Sequence, residues 1–399
     1  MTIQTRAVRA GVAQDPTFGA VIPPIYLSST YSFEDYGVKR QYDYARSSNP
    51  TRDLFAGAVA DLEGGAGAVV TSSGMSAVLL VLQLLKPGDL IVAPHDCYGG
   101  TFRLLNGLTA RAAFRLEYHD LTTPTGLAAA VARKPRVLWI ETPSNPLLRI
   151  TDIREAVRLC QGTGTLVVVD NTFLSPALQQ PLSLGADLVV HSTTKYLNGH
   201  SDVVGGAVVA RDAALHQELA WWCNSLGIGG SPFDAWLQAR GVRTLFPRVR
   251  QHLENTAQVV EALVSHPAVG AVYWPGLANH PGHEVAKSQQ QGFGALVSFE
   301  LKGGEAERRA LLDGLEYFTL AVSLGGVESL IAHPETMTHA SMTPEARATA
   351  GISARLFRLS VGIESADDLV EDLVAGLDRV IAWARVSHSS PGVPACVVS

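Results

Sequence analysis

The residue with the clearest capacity for chemistry is Lys195, which follows a short apolar stretch and the hydroxyl residues Ser192, Thr193 and Thr194. The stretch 187–191 is largely apolar and β-branched, which predicts one buried strand. A lysine just beyond a buried strand is partly desolvated, and desolvation lowers its pKa and frees the amine as a nucleophile. The neighbouring hydroxyls can hold a phosphate. This combination is what the Schiff-base lysine of a pyridoxal phosphate enzyme requires.

Two other interpretations of this stretch compete with the cofactor lysine. Lys195 can be a surface lysine whose stem packs along the strand while its amine stays in water. Ser192 and Lys195 also match the S-x-x-K pattern of serine acyl-enzymes, which use additional S-D-N and K-T-G elements. Ser201-Asp202 is followed by Val203, and K-T-G does not occur in the sequence. The serine mechanism therefore has little support.

Asp170 is a second candidate, because it ends the apolar stretch 166–170. A carboxylate in such a place is costly to bury unless it meets a cation. A protonated pyridine nitrogen is a suitable cation, and its protonation makes the ring an electron sink. The alternative is an aspartate that caps the next helix. The cofactor role is favoured because Lys195 follows only one helix–strand step later.

Tyr98 and Arg358 complete the set of residues that suggest chemistry. Tyr98 stands before Gly99 and Gly100 and can stack on a flat ring, although a half-buried loop tyrosine explains it too. Arg358 is a charge within the apolar segment 356–361. It can hold a substrate carboxylate with paired hydrogen bonds, or it can form an internal salt bridge.

The elements that must position these residues alternate between strand and helix from residue 51 to 210, which predicts a mostly parallel sheet covered by helices on both faces. Ligands bind beyond the carboxyl ends of such strands. Five predicted strand ends carry polar groups, namely Ser73 with Gly74, Tyr98, 141–145, Asp170 and 192–195. At the first of these, small polar residues lead into a helix, a geometry that binds anions. It lacks the lysine of a Walker loop.

The composition limits the class of protein. The chain has 399 residues, 47% hydrophobic and 17% charged, with a net charge of −6. These values indicate a large globular protein of two domains and give no electrostatic reason to expect nucleic acid or an anionic membrane as partner. The N-terminus lacks the apolar core of a secretory signal, and no apolar run is long enough to span a membrane. We therefore expect a cytoplasmic protein. The cysteines are widely spaced and predict no metal site; they are Cys97, Cys160, Cys223 and Cys396.

The domain organisation follows from the same patterns. Residues 1–50 contain many turn formers and few periodic apolar runs, which indicates an arm that lies on a larger body such as a neighbouring subunit. Residues 51–245 form the cofactor-binding domain, and 246–399 a smaller α+β C-terminal domain. We also predict a strand at 112–118 and one long helical region at 232–268.

These residues resemble the Cys/Met-metabolism family of pyridoxal phosphate enzymes, which have the aspartate-aminotransferase-like fold known as fold type I. The resemblance covers almost the whole chain. Its most specific part is the segment 187–200, D-L-V-V-H-S-T-T-K-Y-L-N-G-H, which is close to the family signature. Further matching segments are Ser73-Gly74-Met75, Tyr44-x-Arg46, 170–172 and 323–329.

The resemblance implies a role for each matching residue. Lys195 carries the cofactor, Asp170 meets the pyridine nitrogen and Tyr98 stacks on the ring. The phosphate is surrounded by Ser73, Gly74, Met75, Ser192 and Thr194, and by Tyr44 and Arg46 from a neighbouring subunit. The substrate is bound by Arg358 at its α-carboxylate, with Asn145 and Ser323, and by Asp43, Arg103 and Asn224. Family members are usually homotetramers built as pairs of dimers.

Within the family, the segments 42–44, 93–100 and 220–224 look most like bacterial enzymes that form cystathionine from an O-acyl-homoserine, here O-succinyl-homoserine, and cysteine. Two residues depart from that pattern. Ser47 stands where a familiar synthase pattern has a second arginine after Arg46, and Val322 stands where synthases and many cystathionine γ-lyases have glutamate before Ser323. Cleavage of cystathionine by a γ-lyase is the alternative. A more distant one is a non-enzymatic α/β protein that binds a phosphorylated ligand.

Overall fold

The computed structural model describes residues 1–340 and 342–389. A seven-stranded sheet forms the centre of its first half, with the order β1-β7-β6-β5-β4-β2-β3. The strands are β1 (Gly67–Thr71), β2 (Leu90–Pro94), β3 (Arg115–His119), β4 (Val137–Glu141), β5 (Leu166–Asp170), β6 (Leu188–His191) and β7 (Gly206–Ala210). Only β7 runs antiparallel to its neighbours. The carboxyl ends of the other six strands therefore meet at one edge, which confirms the predicted mostly parallel α/β sheet.

Helices cover both faces of this sheet because its strands are apolar on both sides. Successive residues point to opposite faces, so Leu138 and Val189 join one hydrophobic cluster, whereas Trp139 and Val190 join the other. The helices are α2 (Pro50–Glu63), α3 (Gly74–Leu82), α4 (Gly99–Thr109), α5 (Pro124–Ala132), α6 (Ile153–Cys160), α7 (Ser175–Leu178), α8 (Ala213–Leu226) and α9 (Pro232–Val242), with a 3₁₀ turn at Pro181–Leu184. They follow α1 (Ile3–Val8).

A second sheet of five strands occupies the C-terminal part, in the order β10-β11-β12-β9-β8. Its strands are β8 (Val269–Tyr273), β9 (Leu296–Leu301), β10 (Thr319–Leu320), β11 (Leu330–Ala332) and β12 (Leu356–Ser360). The accompanying helices are α10 (Leu245–Ser265), α11 (His283–Gln289), α12 (Glu305–Leu312), α13 (Pro344–Ala350) and α14 (Ala366–Ser389). Its hydrophobic cluster joins Phe299 and Phe357 of the sheet to Leu263 of α10 and Leu373 of α14.

Several predicted elements differ from the structure. The helical region 232–268 is broken at Arg243 and Thr244, because Pro247 is tolerated in the first turn of a helix but not in its interior, so α10 starts anew. The predicted strand 112–118 begins only at Arg115, since Ala112 has a φ of 56° in the turn after α4. Helix α8 was not predicted.

The N-terminal arm contains the short helix α1 and then runs without regular structure along its own chain. Trp236 Nε1 donates to the Pro23 carbonyl at 3.1 Å, and Arg243 Nε donates to the Val8 carbonyl at 3.1 Å. The arm leaves large apolar side chains exposed, among them Phe18 between these anchors and Tyr36 beyond them.

The cysteines of the described part, Cys97, Cys160 and Cys223, are free and buried. Burial raises the pKa of Cys97 well above its usual range and raises the pKa values of Cys160 and Cys223 to about 11 each. Cys396 lies outside the described residues. Among those residues, no group of His, Cys, Asp and Glu could hold a metal ion, and no helix has the length and apolarity needed to cross a membrane.

Candidate active site

The turn after β6 presents Lys195 at the carboxyl edge of the large sheet. This turn is closed by backbone hydrogen bonds from Gly199 to the Lys195 carbonyl at 2.8 Å and from Asn198 to the Thr193 carbonyl at 3.0 Å. The Lys195 Nζ donates to the Ser323 Oγ at 2.7 Å. Burial, and then the nearby charge of Arg358, lowers the pKa of Lys195 to about 8. The amine is therefore much easier to deprotonate than an ordinary lysine.

Ser323 joins the lysine to the arginine. Its Oγ accepts from Lys195, and its carbonyl accepts from the Arg358 Nη2 at 2.9 Å. The residue has a φ of 112°, in a region that residues other than glycine rarely adopt. Such a conformation costs on the order of 1–3 kcal/mol and is held only by surrounding structure. The loop is thus constrained to present both of its oxygen atoms to the two cations.

Arg358 lies on β12 and is only 3% exposed. Its Nη1 donates to the Asn145 Oδ1 at 2.7 Å, while its Nε has no partner. Burial lowers the pKa of Arg358 to about 10. No carboxylate of residues 1–340 and 342–389 forms an ion pair with it. A buried guanidinium with a free donor fits a ligand carboxylate.

Two carboxyl groups lie side by side where β4 and β5 end. Glu141 accepts from the Tyr98 backbone N–H at 2.7 Å and from the Trp139 Nε1 at 3.1 Å. Asp170 Oδ1 accepts from the Thr172 backbone N–H at 2.9 Å. Burial raises the pKa of both groups, and in Glu141 the neighbouring Asp170 adds to the rise. A cationic ring nitrogen would offset the burial of the Asp170 carboxylate, so the site suits a pyridinium.

The start of α3 forms a cradle that suits a phosphate. Ser73 caps this helix by accepting from the Ser76 N–H at 3.0 Å, and the first turn leaves backbone N–H groups free for an anion. Gly74 faces Ser192 so closely that a Cβ at 74 would lie 2.7 Å from the Ser192 Cβ. Thr194 is oriented nearby by the Gly205 N–H, which donates to its Oγ1 at 3.0 Å.

We expect Gly74→Ala to weaken binding of pyridoxal phosphate by about 100-fold, because the new methyl group forces Ser192 away from the cradle. The measurement is the dissociation constant of the cofactor, from its visible absorbance in reconstituted protein. Gly57→Ala is the matched control, since a Cβ at Gly57 meets nothing within 4 Å. Comparable cofactor affinity in the two variants would show that the cradle at the start of α3 does not bind the cofactor phosphate.

Tyr98, Met75 and Gly100 form a further group at this edge. Tyr98 precedes the first residue of α4 and is 43% exposed. A Cβ added to Gly100 would lie 2.5 Å from the Tyr98 ring and 2.7 Å from the Met75 sulfur. Because Gly100 has no side chain, the Tyr98 ring can lie beside the cradle. Arg103 lies one turn further along α4.

Four predicted site residues are not brought together with Lys195 in the single chain. Arg46 donates to the Asn224 carbonyl at 2.9 Å and lies over the Tyr44 ring at 5.7 Å. Asp43 pairs with Lys39 at 2.5 Å. Within the described part of the chain, no hydrogen bond or ion pair joins these residues to Lys195, Asp170 or Arg358.

Thr172 was missed by the reasoning from sequence. Its backbone N–H holds Asp170, and its Oγ1 accepts from the Ser192 N–H at 2.8 Å. It therefore connects the end of β5 with the end of β6. The available signal was a hydroxyl residue two positions after a strand-end acid, a spacing typical of local side-chain capping.

A family model described as "Cys/Met metabolism PLP-dependent enzyme" matches residues 4–378. This agrees with the family inferred from the sequence motifs.

Individual relatives are also close. The chain is 55% identical to the cystathionine gamma-synthase of Escherichia coli over 93% of this chain and 97% of that protein. It is 45% identical to a cystathionine beta-lyase of Lactococcus lactis over 95% and 99%. A crystal structure of cystathionine gamma synthase from Xanthomonas oryzae in complex with cystathionine superposes with a TM-score of 0.95 at 63% identity, covering 96% of this chain and 99% of that one.

Proposed function

This chain belongs to the Cys/Met metabolism PLP-dependent enzyme family, and on that premise we propose that it forms L-cystathionine from an O-acyl-L-homoserine and L-cysteine. The observation that carries the proposal is the link through Ser323, which holds an amine of lowered pKa beside a buried guanidinium. An amino-acid substrate needs both groups, one near its α-carbon and one at its carboxylate. The relatives that form cystathionine support this choice of reaction.

The residues of the site fit pyridoxal phosphate. We assign its phosphate to Ser73, Gly74, Met75, Ser192 and Thr194, its ring nitrogen to Asp170, its ring face to Tyr98 and its aldehyde carbon to Lys195. When bound, the cofactor withdraws electrons from the substrate α-carbon. Two features of this chain match the charges of pyridoxal phosphate. Asp170 matches the protonated ring nitrogen, and the anion cradle on α3 matches the phosphate.

In the proposed reaction, Arg358 holds the substrate carboxylate and thereby orients the α-carbon toward Lys195. The neutral Lys195 amine accepts the proton from that carbon and returns protons as the reaction ends. The γ-carbon loses its acyl oxygen as a free carboxylate and gains the sulfur of cysteine, whose thiol proton is released. Asn145 and Ser323 keep the guanidinium in position.

We propose that Tyr44 and Arg46 reach the phosphate cradle of a neighbouring subunit in a homotetramer built from dimers. Among the described residues, no hydrogen bond or ion pair joins Tyr44 or Arg46 to Lys195, Asp170 or Arg358, and the arm exposes large apolar side chains. Both observations support this arrangement. The domain boundaries near residues 50 and 246, a substrate role for Asp43, Arg103 and Asn224, the succinyl form of the substrate and the cytoplasmic location stay predictions.

The second candidate is cleavage of cystathionine to cysteine and 2-oxobutanoate. It stays open because two residues depart from the synthase pattern that the sequence otherwise resembles, namely Ser47 and Val322, of which Val322 is 58% exposed beside Ser323. The test is product analysis of the cofactor-loaded protein with O-succinyl-homoserine plus cysteine in one set and cystathionine alone in another. Faster formation of cystathionine in the first set supports the synthase, and faster release of 2-oxobutanoate in the second overturns it.

Replacement of Asp170 by alanine is expected to lower kcat by about 100- to 1,000-fold, because it removes the counter-ion of the ring nitrogen. Asp152→Ala is the control, since Asp152 only caps α6 through the Glu155 N–H at 2.9 Å. Loss of such a cap costs about 1 kcal/mol of stability and leaves the site intact. Steady-state kinetics of both variants would show equal, small losses if Asp170 were a cap as well.

A further inference from the structure

Helix α10 has a buried polar face formed by Arg248, His252 and Asn255, each no more than 5% exposed. The residues are four and three positions apart, so they lie on one side of the helix. We call them the α10 ladder. Each donates from its side chain to backbone carbonyls outside α10, and none is among the proposed cofactor or substrate contacts.

The first member of the ladder holds the turn that carries Lys195. Arg248 Nη1 donates to the Tyr196 carbonyl at 2.9 Å, and Nη2 donates to the Gly241 carbonyl at 2.8 Å. A Cβ at Gly199 would lie 2.0 Å from Nη1, so the guanidinium packs directly against this turn. In the described part of the chain it has no carboxylate partner. Its remaining hydrogen bond runs from Nε to the Thr244 Oγ1 at 3.2 Å. A buried cation held by neutral oxygens alone is costly to desolvate, which favours a positioning role over a stabilising one.

The other two members hold the chain just beyond the strand of Arg358. His252 Nδ1 is 2.7 Å from the Val361 carbonyl, and its ring meets the Tyr196 ring edge-on at 5.5 Å. Burial lowers the pKa of His252 to about 4, so it is neutral and donates from Nδ1. Asn255 Nδ2 donates to the Gly362 carbonyl at 3.0 Å and the Glu364 carbonyl at 2.8 Å.

We propose that the α10 ladder positions the Lys195 amine relative to the Arg358 guanidinium, with Arg248 acting on the lysine turn and Asn255 acting on the end of β12. The two residues are positioning residues, since they act through backbone and not on substrate. The inference rests on two parts of the proposed function. These are that Lys195 binds the cofactor and that Arg358 binds the substrate carboxylate. Misplacement of reacting groups by 1 Å can lower rates by about 100-fold, so such a support has a large effect.

The test uses cofactor-loaded Arg248→Met and Asn255→Leu, which remove the hydrogen bonds. Leucine has nearly the shape of asparagine, and methionine keeps an unbranched apolar stem in place of that of arginine. Arg250→Met and Gln258→Leu are matched controls, because these two residues lie on the exposed face of the same helix. Two quantities are measured that do not require turnover. One is the pH midpoint of the visible absorbance band of the bound cofactor, which reports the proton on the Lys195 nitrogen. The other is the dissociation constant of glycine, whose carboxylate needs Arg358.

We expect the two variants to separate these quantities. Arg248→Met is expected to raise the pH midpoint by about one unit, because a loosened turn lets the lysine nitrogen reach water and move away from the Arg358 charge. The dissociation constant of glycine is expected to change less than about threefold in this variant. Asn255→Leu weakens glycine about tenfold, because the guanidinium loses its alignment, and leaves the midpoint within about 0.2 units. The controls match the unmodified protein in both measurements.

The proposal would be overturned if Arg248→Met and Asn255→Leu changed the pH midpoint and the glycine dissociation constant to the same extent. It would also be overturned if neither variant changed either quantity. If Arg248→Met does not fold, Arg248→Lys replaces it, because lysine keeps the cation and one hydrogen bond, and we expect a smaller rise of the midpoint. Failure of the enzyme to form cystathionine, with the separation intact, would count against the proposed function alone.

Discussion

Lys195→Ala is expected to abolish the visible absorbance of the cofactor-loaded protein and to lower kcat by at least about 10,000-fold, because the amine is both the point of attachment and the proton carrier. The lowered pKa of about 8 means that roughly half of the free amine is neutral at pH 8, whereas an ordinary lysine is almost fully charged there. This neutral fraction is what allows the side chain to accept a proton.

The control for this experiment is Lys86→Ala, an exposed lysine in the turn between α3 and β2. Absorbance spectra of both variants after incubation with pyridoxal phosphate, followed by removal of unbound cofactor, give the answer. An unchanged visible spectrum in Lys195→Ala would refute the assignment, whatever the residual activity.

Arg358→Lys is expected to raise KM for the acylated homoserine by about 100-fold, because an ammonium group cannot reproduce the fork of guanidinium donors that a carboxylate accepts. Arg355→Lys is the control on the same segment; its guanidinium is largely exposed and pairs with Glu300 at 3.2 Å. We expect a change of less than about twofold there, since exposed ion pairs contribute little. Similar KM values in the two variants would contradict the assignment of Arg358.

Replacement of Arg358 by an apolar residue is also expected to stabilise the folded protein while activity is lost. Because Arg358 is buried without a carboxylate partner, Arg358→Leu is expected to raise the free energy of unfolding by about 1–4 kcal/mol while activity falls. Urea denaturation of the cofactor-free protein measures this. A loss of stability would mean that the hydrogen bonds of Arg358 to Asn145 and the Ser323 carbonyl stabilise the fold and that the residue has a structural role.

The sheet and its edge were predictable from the sequence because their signals are local. Every strand of the large sheet except the edge strand β3 is a short apolar run. Each run that reaches the site is followed by polar residues, as at Asp170 and the hydroxyls before Lys195. Parallel strands bring such ends together without further information. The family motifs then supplied roles for Ser323 and Arg358, which lie far away in the chain.

Other features were not predictable because they depend on tertiary contacts. The polar residues of the α10 ladder read as ordinary helix positions, and only the structure shows that they are buried against carbonyls near 196 and 361. The φ of Ser323 likewise follows from its two partners and not from its residue type. The break before α10 was a missed local signal, since Pro247 marks the start of a helix.

The buried thiols have a consequence for the proposed use of free cysteine as a substrate. Disulfide exchange proceeds through the thiolate, and at pH 8 a thiol with a pKa of about 11 is ionised in only about one molecule per thousand. Burial also raises the pKa of Cys97, next to Tyr98 in the chain, well above its usual range. The substrate thiol and its oxidised form cystine thus meet no reactive sulfur among the described residues. In the proposed reaction, the site would therefore use a sulfur nucleophile without forming mixed disulfides with the described cysteines.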